Sequence, residues 1–115
     1  MKLTDQTAKP ITKGTAPLSR KEAEEFMQEI PQWSLGEKEI VREFRFKDFP
    51  EAVQFVNNVA AIANEQDHHP DILISYNKVR LTFSTHKIGG LSMNDFIVAA
   101  MIDRLVDLQQ TVKAA

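Results

Sequence analysis

The chain contains no cysteine among its 115 residues. This absence excludes a disulfide framework and any metal site built from thiolates. It also leaves imidazole as the one side chain present whose ordinary pKa lies near neutral pH, and the sequence has three histidines. A chain without cysteine fits a reducing compartment, so we expect a cytoplasmic protein.

A strong excess of charge of either sign is also lacking. The 14 basic and 16 acidic side chains give a formal net charge of −2. A domain this close to neutral has no basic field for a phosphate backbone, so we expect no direct contact with nucleic acid. The sequence has no run of about 18 apolar residues and no apolar core of a signal peptide, which predicts no membrane association and no secretion.

Length and composition predict a single domain with its own core, since 43% of the residues are hydrophobic. Residues 1–17 are rich in Lys, Thr and Pro and have no apolar periodicity. A segment of this kind has little to bury, so it predicts a disordered N-terminal tail. The single domain is then expected to span residues 18–115.

Capping signals predict three helices. Ser19 and Glu22 have the capping-box spacing, and the first helix must end before Pro31. Asp48 is an N-cap for a second helix with a regular apolar stripe, and this helix must end by His69 because a proline follows. The third helix starts near residue 92 and reaches about residue 112.

Alternation of apolar and polar residues predicts four strands, which are residues 33–35, 40–46, 72–76 and 79–86, with a two-residue turn at 77–78. The order helix, two strands, helix, two strands, helix indicates an α+β domain. We expect a four-stranded antiparallel sheet with three helices packed on one face. The last strand would place His86 on the opposite, polar face beside Arg80, open to a ligand or a partner.

The third helix carries an unusual pattern, because residues 96–102 are apolar nearly all round. A helix on the surface of a monomer normally keeps one polar face. The pattern therefore predicts that this helix contacts a partner chain.

All three histidines lie in the short segments Asp67-His68-His69-Pro70 and Ser84-Thr85-His86. The adjacent pair follows the second helix, whose C-terminal dipole favours imidazolium. Imidazoles near neutral pH suit proton transfer. The ordinary alternative is a helix-end pair and an exposed strand histidine. A zinc hydrolase is disfavoured, because adjacent histidines do not converge easily on one ion and no HExxH spacing is present.

A longer pattern around the histidines resembles the signature of the pterin-4a-carbinolamine dehydratase family. Its members in this chain are Glu65-Gln66-Asp67-His68-His69-Pro70, Tyr76, His86 and Asp95. Residues 46–49, 76–79 and 90–92 agree with the family as well, and the likeness extends over residues 19–112. One position departs from the pattern. The family usually has an acid four residues before the first histidine, where this chain has Asn64 followed by Glu65.

The resemblance implies dehydration of a 4a-hydroxytetrahydropterin, a product of aromatic amino acid hydroxylases, to quinonoid dihydropterin and water during tetrahydrobiopterin recycling. An acid protonates the leaving oxygen and a base removes a ring N–H proton, so no metal or other cofactor is required. The family also implies a homodimer or homotetramer. Some members act as dimerisation cofactors of a transcription factor or in assembly, and this non-enzymatic role is the alternative function.

The resemblance also implies roles for individual residues. Catalysis falls to His68, His69 and His86, with acid and base unassigned. Substrate binding is implied for these histidines and for the segments around them, namely Glu65, Asp67, Ser84, Thr85 and Lys87.

Three further residues have two interpretations each. Glu65 either supplies the missing acidic role, through His69, or is a solvated helix residue. Trp33 either borders the pterin pocket or lies in the core. Asp95 fits a helix start better than a catalytic acid, because the spacing from Ser92 is a capping pattern.

Overall fold

The computed structural model describes residues 2–114, with side chains described through residue 107. It confirms the predicted order of elements. The four strands form one antiparallel sheet in the order β1-β2-β4-β3. Within the described residues, none of the helices is both long enough and apolar enough to cross a membrane. The elements are α1 (Arg20–Met27), β1 (Ser34–Leu35), β2 (Ile40–Arg45), α2 (Phe49–Gln66), β3 (Asp71–Ser75), β4 (Lys78–Phe83) and α3 (Met93–Ala114).

Capping side chains begin the first two helices at the predicted residues. Ser19 Oγ accepts the N–H of Glu22 at 3.1 Å, and the Glu22 carboxylate accepts the N–H of Ser19 at 2.9 Å. These hydrogen bonds to Ser19 lower the pKa of Glu22. Asp48 Oδ1 accepts the N–H of Glu51 at 3.1 Å. Each cap satisfies backbone donors that a helix start leaves open.

Strand register separates the two faces of the sheet. Ile40 pairs with Phe83 and Phe44 pairs with Val79, and all four side chains are buried. Because side chains alternate along a strand, the neighbouring residues face the opposite side of the sheet. The inner face, with the helices over it, forms the core that the alternation predicts.

One charged residue, Arg42, lies on the inner face. Its guanidinium is 2.6 Å from Asp103 Oδ1 on α3. The same oxygen accepts the indole N–H of Trp33 at 2.8 Å. Burial raises the pKa of the Asp103 carboxyl, while Trp33 and Arg42 act in the opposite direction. The pair explains why an arginine is tolerated at a core-facing position.

The turn between β3 and β4 lies one residue earlier than the predicted turn at 77–78. Ser75 pairs with Lys78, so Tyr76 and Asn77 form the turn. Tyr76 adopts a left-handed φ of 53°, and the Asn77 side chain donates to the Phe46 carbonyl at 3.0 Å. This contact with the segment after β2 fixes a turn that lacks the preferred glycine.

The predicted last strand is too long. β4 ends at Phe83, and Thr85 then forms an isolated bridge with Gly90, whose carbonyl accepts the Thr85 N–H at 2.8 Å. The chain folds back on itself, and a short 3-10 turn covers His86–Ile88. His86 is exposed on this turn and does not share the sheet face with Arg80, because the strand has ended before it.

The apolar part of α3 is covered by its own chain. Phe96 and Val98 are fully buried, and residues 96–102 are buried throughout apart from the partly buried Met101. Helix α2 covers part of this surface, Phe26 of α1 packs on Phe96, and a 3-10 turn at Leu3–Asp5 also packs against α3. The prediction that residues 96–102 contact a partner chain is therefore wrong, because no apolar face is left exposed.

The N-terminal segment makes individual contacts with the rest of the domain. Leu3 is fully buried, and its N–H donates to Glu29 Oε1 at 2.8 Å. At the far end of the segment, the Leu18 N–H donates to the Leu91 carbonyl at 2.9 Å. Single contacts of this kind leave no periodicity in the sequence. Disorder of residues 1–17 stays a prediction, and the buried Leu3 allows it to be tested.

We expect Leu3→Ala to lower the free energy of unfolding by about 2 kcal/mol or more, because it leaves a cavity at a buried leucine. Urea unfolding measures the change, with Thr7→Ala at an exposed position of the same segment as the control. An unchanged unfolding midpoint for Leu3→Ala would support the disordered tail.

Candidate active site

The turn that ends α2 points the side chains of the two adjacent histidines in different directions. Asp67 is exposed and adopts the left-handed conformation, with φ 51° and ψ 42°. Its N–H donates to the Asn64 carbonyl at 3.3 Å, and the His68 N–H donates to the Ala63 carbonyl at 3.1 Å. These bonds form a Schellman motif. The chain reversal directs His68 toward α3 and His69 back toward the helix.

His68 is fixed from two sides. Its Nε2 lies 2.6 Å from Asp95 Oδ1 at the start of α3. Its ring stacks on Phe83, with ring centroids 5.8 Å apart and an interplanar angle of 8°. The side chain remains 12% exposed. His68 is therefore held in one orientation and still reaches the surface.

Asp95 is fully buried and connects three segments of the chain. Besides His68, its carboxylate accepts the Ser92 N–H at 2.9 Å and the Thr85 hydroxyl at 2.8 Å. Thr85 Oγ1 also lies 2.7 Å from Ser92 Oγ, and Ser92 must donate there because the Thr85 proton goes to Asp95. A buried carboxylate needs such donors, and the N-terminal end of α3 adds favourable potential.

The spacing from Ser92 favoured a helix start over a catalytic role for Asp95, and it did not predict the contact with His68. In the structure one oxygen of Asp95 accepts the Ser92 N–H at the start of α3, and the other contacts His68. The available signal was its position at the end of the histidine pattern. Thr85, predicted to bind substrate, is 5% exposed and contributes through its bond to Asp95.

The Asp95 carboxylate determines which nitrogen of His68 carries a proton. A carboxylate can only accept, so Nε2 is assigned as the N–H and Nδ1 of the neutral ring stays free. The hydrogen bond at one ring nitrogen sets the chemistry available at the other. The pair can therefore exchange a proton at Nδ1 without losing its anchor.

His69 contacts the residue at which the sequence departs from the family pattern. Its Nε2 lies 2.9 Å from Asn64 Oδ1. Among the side chains of residues 2–107, no hydrogen bond joins the exposed Glu65 to either imidazole. Of the two interpretations of Glu65, the one through His69 required a contact that is not formed, because the left-handed turn at Asp67 brings His69 over Asn64 instead.

His86 is exposed, and the segment that carries it meets the His68 segment at Asp95. The residue before His86, Thr85, donates to the same carboxylate that contacts His68. On either side of this point, Ser84 Oγ donates to the Lys38 carbonyl at 2.7 Å and Lys87 Nζ donates to the Ile11 carbonyl at 3.0 Å. The structure thus brings together the segments that carry all three histidines.

Trp33 lies in the core, which was one of its two predicted positions. It is 4% exposed, and its ring packs on Phe83 with centroids 5.7 Å apart. Phe83 in turn stacks on His68. Trp33 therefore packs on the ring that in turn stacks on His68, and it does not line the surface of the site.

The cavity of about 860 Å³ beside the N-terminal segment and α3 lies away from the histidines, and metal geometry does not identify the site either. None of the three histidines lines this cavity. In the part of the chain that the structure describes, no group of three or more His, Cys, Asp or Glu side chains is placed to hold a metal ion. The hydrogen-bonded imidazoles are the feature that points to chemistry.

We expect Asp95→Asn to reverse the tautomer of His68. The new amide nitrogen would donate to Nε2, so the neutral ring would carry its proton on Nδ1, as carboxamide replacement does in a catalytic triad. Ring ¹⁵N shifts of His68, measured where the imidazole is neutral, report the tautomer, with His69 as the internal control. A His68 tautomer that Asp95→Asn leaves unchanged would contradict the assignment.

Comparison with known proteins gives a consistent family. A family model described as Pterin 4 alpha carbinolamine dehydratase matches residues 16–105. A relative from Halorhodospira halophila, provisionally named as a pterin-4-alpha-carbinolamine dehydratase, is 46% identical over 107 residues, covering 91% of this chain and 98% of the relative. A relative of the same provisional name from Nitrosomonas eutropha is 44% identical, covering 90% of this chain and 93% of the relative.

Two solved structures share the fold. A transcriptional coactivator/pterin dehydratase from Brucella melitensis is 31% identical with a TM-score of 0.72, and the match covers 76% of this chain and 96% of that one. A pterin dehydratase-like protein identified as a RuBisCO assembly factor in the alpha-carboxysome is 20% identical with a TM-score of 0.53, covering 64% of this chain and 84% of that one. At that identity, the second likeness concerns the fold alone.

Proposed function

The chain belongs to the pterin 4 alpha carbinolamine dehydratase family, and on this basis we propose that it converts a 4a-hydroxytetrahydropterin to quinonoid dihydropterin and water. The observation that carries the proposal is the contact of 2.6 Å between His68 and the buried Asp95. It gives one imidazole a fixed orientation beside the segment of His86. In a cytoplasmic setting the reaction would serve recycling of tetrahydrobiopterin after an aromatic amino acid hydroxylase.

The reaction needs two proton transfers and no change of oxidation state. The bond between C4a and the hydroxyl oxygen breaks as an acid protonates that oxygen. A base removes the proton of the adjacent ring N–H, and the electron pair of that bond forms the carbon–nitrogen double bond. Each assisted transfer typically contributes roughly 10²–10⁴-fold to the rate. We assign the transfers to His68, His69 and His86.

Two of these imidazoles have the same arrangement. Nε2 of His68 faces Asp95, and Nε2 of His69 faces the amide oxygen of Asn64. Both partners accept a hydrogen bond, so both rings keep Nδ1 for exchange with the substrate. Asp95 and Asn64 are thus positioning residues in this proposal.

The rim of the site supplies the residues proposed to hold the pterin. Asp67 and Lys87 are exposed beside the histidines, and Ser84 is half-buried before Thr85. Glu65 is exposed on the last turn of α2, and its acidic role stays a proposal without a contact to an imidazole. Polar groups of this kind fix the orientation of a ligand.

A non-enzymatic assembly role is the second candidate. The observation that favours it is the edge strand β3, where Leu73 is 60% exposed and the neighbouring Tyr76 is 65% exposed. Exposed apolar side chains on an unpaired edge are typical of a surface that pairs with another chain. The same edge is our proposed contact of a homodimer or homotetramer, in place of the buried surface of α3.

Dehydration of enzymically generated 4a-hydroxytetrahydropterin tests the enzymatic proposal. We expect the protein to accelerate the reaction over a blank without protein, and His86→Ala to lower the rate at least about tenfold. Because His86 is exposed, the urea midpoint should stay unchanged. Lys21→Ala, at an exposed position of α1, is the control. A rate equal to the blank would leave the assembly role as the better candidate.

A charge on the sheet edge tests the oligomer. We expect Leu73→Lys to shift the protein toward smaller species in light scattering, because it places a charge on an exposed apolar edge. Gln54→Lys, at an exposed position of α2, should leave the mass unchanged. A wild-type protein that is monomeric at high micromolar concentration would contradict this interface.

A further inference from the structure

Residues 8–11, here called the strap, run past all three segments that carry the candidate site. The strap has no regular secondary structure. Its contacts are made by backbone atoms, so its own side chains give little indication of them. Each contact falls on a residue next to, or two residues from, one of the site residues.

Three side chains bind the strap. Gln66, two residues before His68, accepts the Ala8 N–H at 2.8 Å. Asn94, the neighbour of Asp95, accepts the Lys9 N–H at 2.9 Å and donates to the Lys9 carbonyl at 2.6 Å. Lys87, the neighbour of His86, donates to the Ile11 carbonyl at 3.0 Å. The strap is therefore hydrogen-bonded to the C-terminal end of α2, to the N-terminal end of α3 and to the turn after β4.

Asn94 is suited to this contact. It is 6% exposed, and its amide satisfies both the backbone donor and the backbone acceptor of one residue, Lys9. A buried amide with both groups bonded gives a specific geometry, since each group left unpaired would carry a desolvation cost. The strap therefore has a defined position at Lys9.

His86 is the imidazole that depends most on its backbone. In residues 2–107, no hydrogen bond, ion pair or ring contact reaches its side chain, whereas His68 has Asp95 and His69 has Asn64. Its position is set by residues 84–90. Within that loop, the Ile88 N–H donates to the Thr85 carbonyl at 3.1 Å and the Gly89 N–H donates to the His86 carbonyl at 3.0 Å.

The N-terminal segment restrains this loop at two points. The Ile11 carbonyl accepts Lys87 Nζ. Further along, Pro17 packs so closely on Gly90 that a Cβ at that glycine would lie 2.8 Å from the Pro17 Cβ. A loop restrained on both sides of a short turn loses the freedom to open locally.

We propose that the strap is a positioning element of the active site, which holds the loop 84–90 so that His86 meets the substrate in one orientation. Asn94 is the positioning residue that anchors it. The effect on the rate rests on the proposed function, whereas the effect on loop order rests on the contacts alone. A site held by its supporting groups keeps the geometry that proton transfer requires.

Hydrogen exchange of the full-length protein tests the restraint without an activity assay. We expect Asn94→Ala to accelerate exchange of the Lys9 and Gly89 amides at least about tenfold. The amide of Leu81, in the central strand β4, should not change. Gln66→Ala, on the last residue of α2, loosens the strap without emptying a buried position and decides the test if Asn94→Ala unfolds. Thr12→Ala, exposed just beyond the strap, is the matched control.

Kinetics then test positioning. In both variants we expect kcat to fall several-fold while the ring ¹⁵N shifts show an unchanged His68 tautomer, since the strap acts on His86. A Gly89 amide that stays protected while the Lys9 amide exchanges freely would overturn the inference, whatever the activity. An unchanged kcat in a variant whose loop has opened would equally overturn it. If the wild-type protein has no dehydratase activity, the exchange result still judges the strap, so the two failures are distinguishable.

Discussion

A buried carboxylate is the constraint on which the candidate site depends. Asp95 is fully removed from solvent, and a charge in that position is tolerated only with hydrogen-bond donors around it. Its donors come from the end of α2, from the loop after β4 and from the residue before α3, through His68, Thr85 and Ser92. Satisfying one carboxylate thus joins the His68 segment, 27 residues away in sequence, to the loop after β4 and to the start of α3. Two of these three segments carry the histidines.

Local signals predicted most of the fold because the interactions behind them are local. The capping residues Ser19 and Asp48 each bind an amide three residues away, so their sequence spacing is their geometry. Alternation in β4 likewise followed from burial of one face. The turn before it was placed one residue late, because Asn77 binds the distant Phe46 carbonyl, and no local rule contains that contact.

Long-range backbone contacts explain what the sequence did not predict. The N-terminal segment reaches partners 26 to 85 residues away and binds them through its own N–H and C=O groups, which every residue type except proline carries in full. Because nothing in the sequence indicated that the N-terminal segment packs on α3, residues 96–102 were expected to contact a partner chain. Similarly, the spacing of Glu65 allowed a contact with His69 if the helix continued. The left-handed Asp67 ends the helix, and Asn64 contacts His69 instead.

The two candidate functions make different demands on these residues. Asp95 caps the segment before α3 as well as orienting His68, and the stacking of His68 on Phe83 joins the core, so a purely structural relative would also benefit from both. The assembly candidate needs the exposed edge of the sheet at β3, the last strand in the order β1-β2-β4-β3.

His86 differs from both groups of residues. It is exposed, and within the described side chains its ring contacts nothing that would stabilise the fold. The dehydratase proposal gives this exposed imidazole a task at the substrate, whereas the assembly proposal gives it none. His86 is therefore the residue whose chemistry best separates a dehydratase from an assembly factor on the same fold.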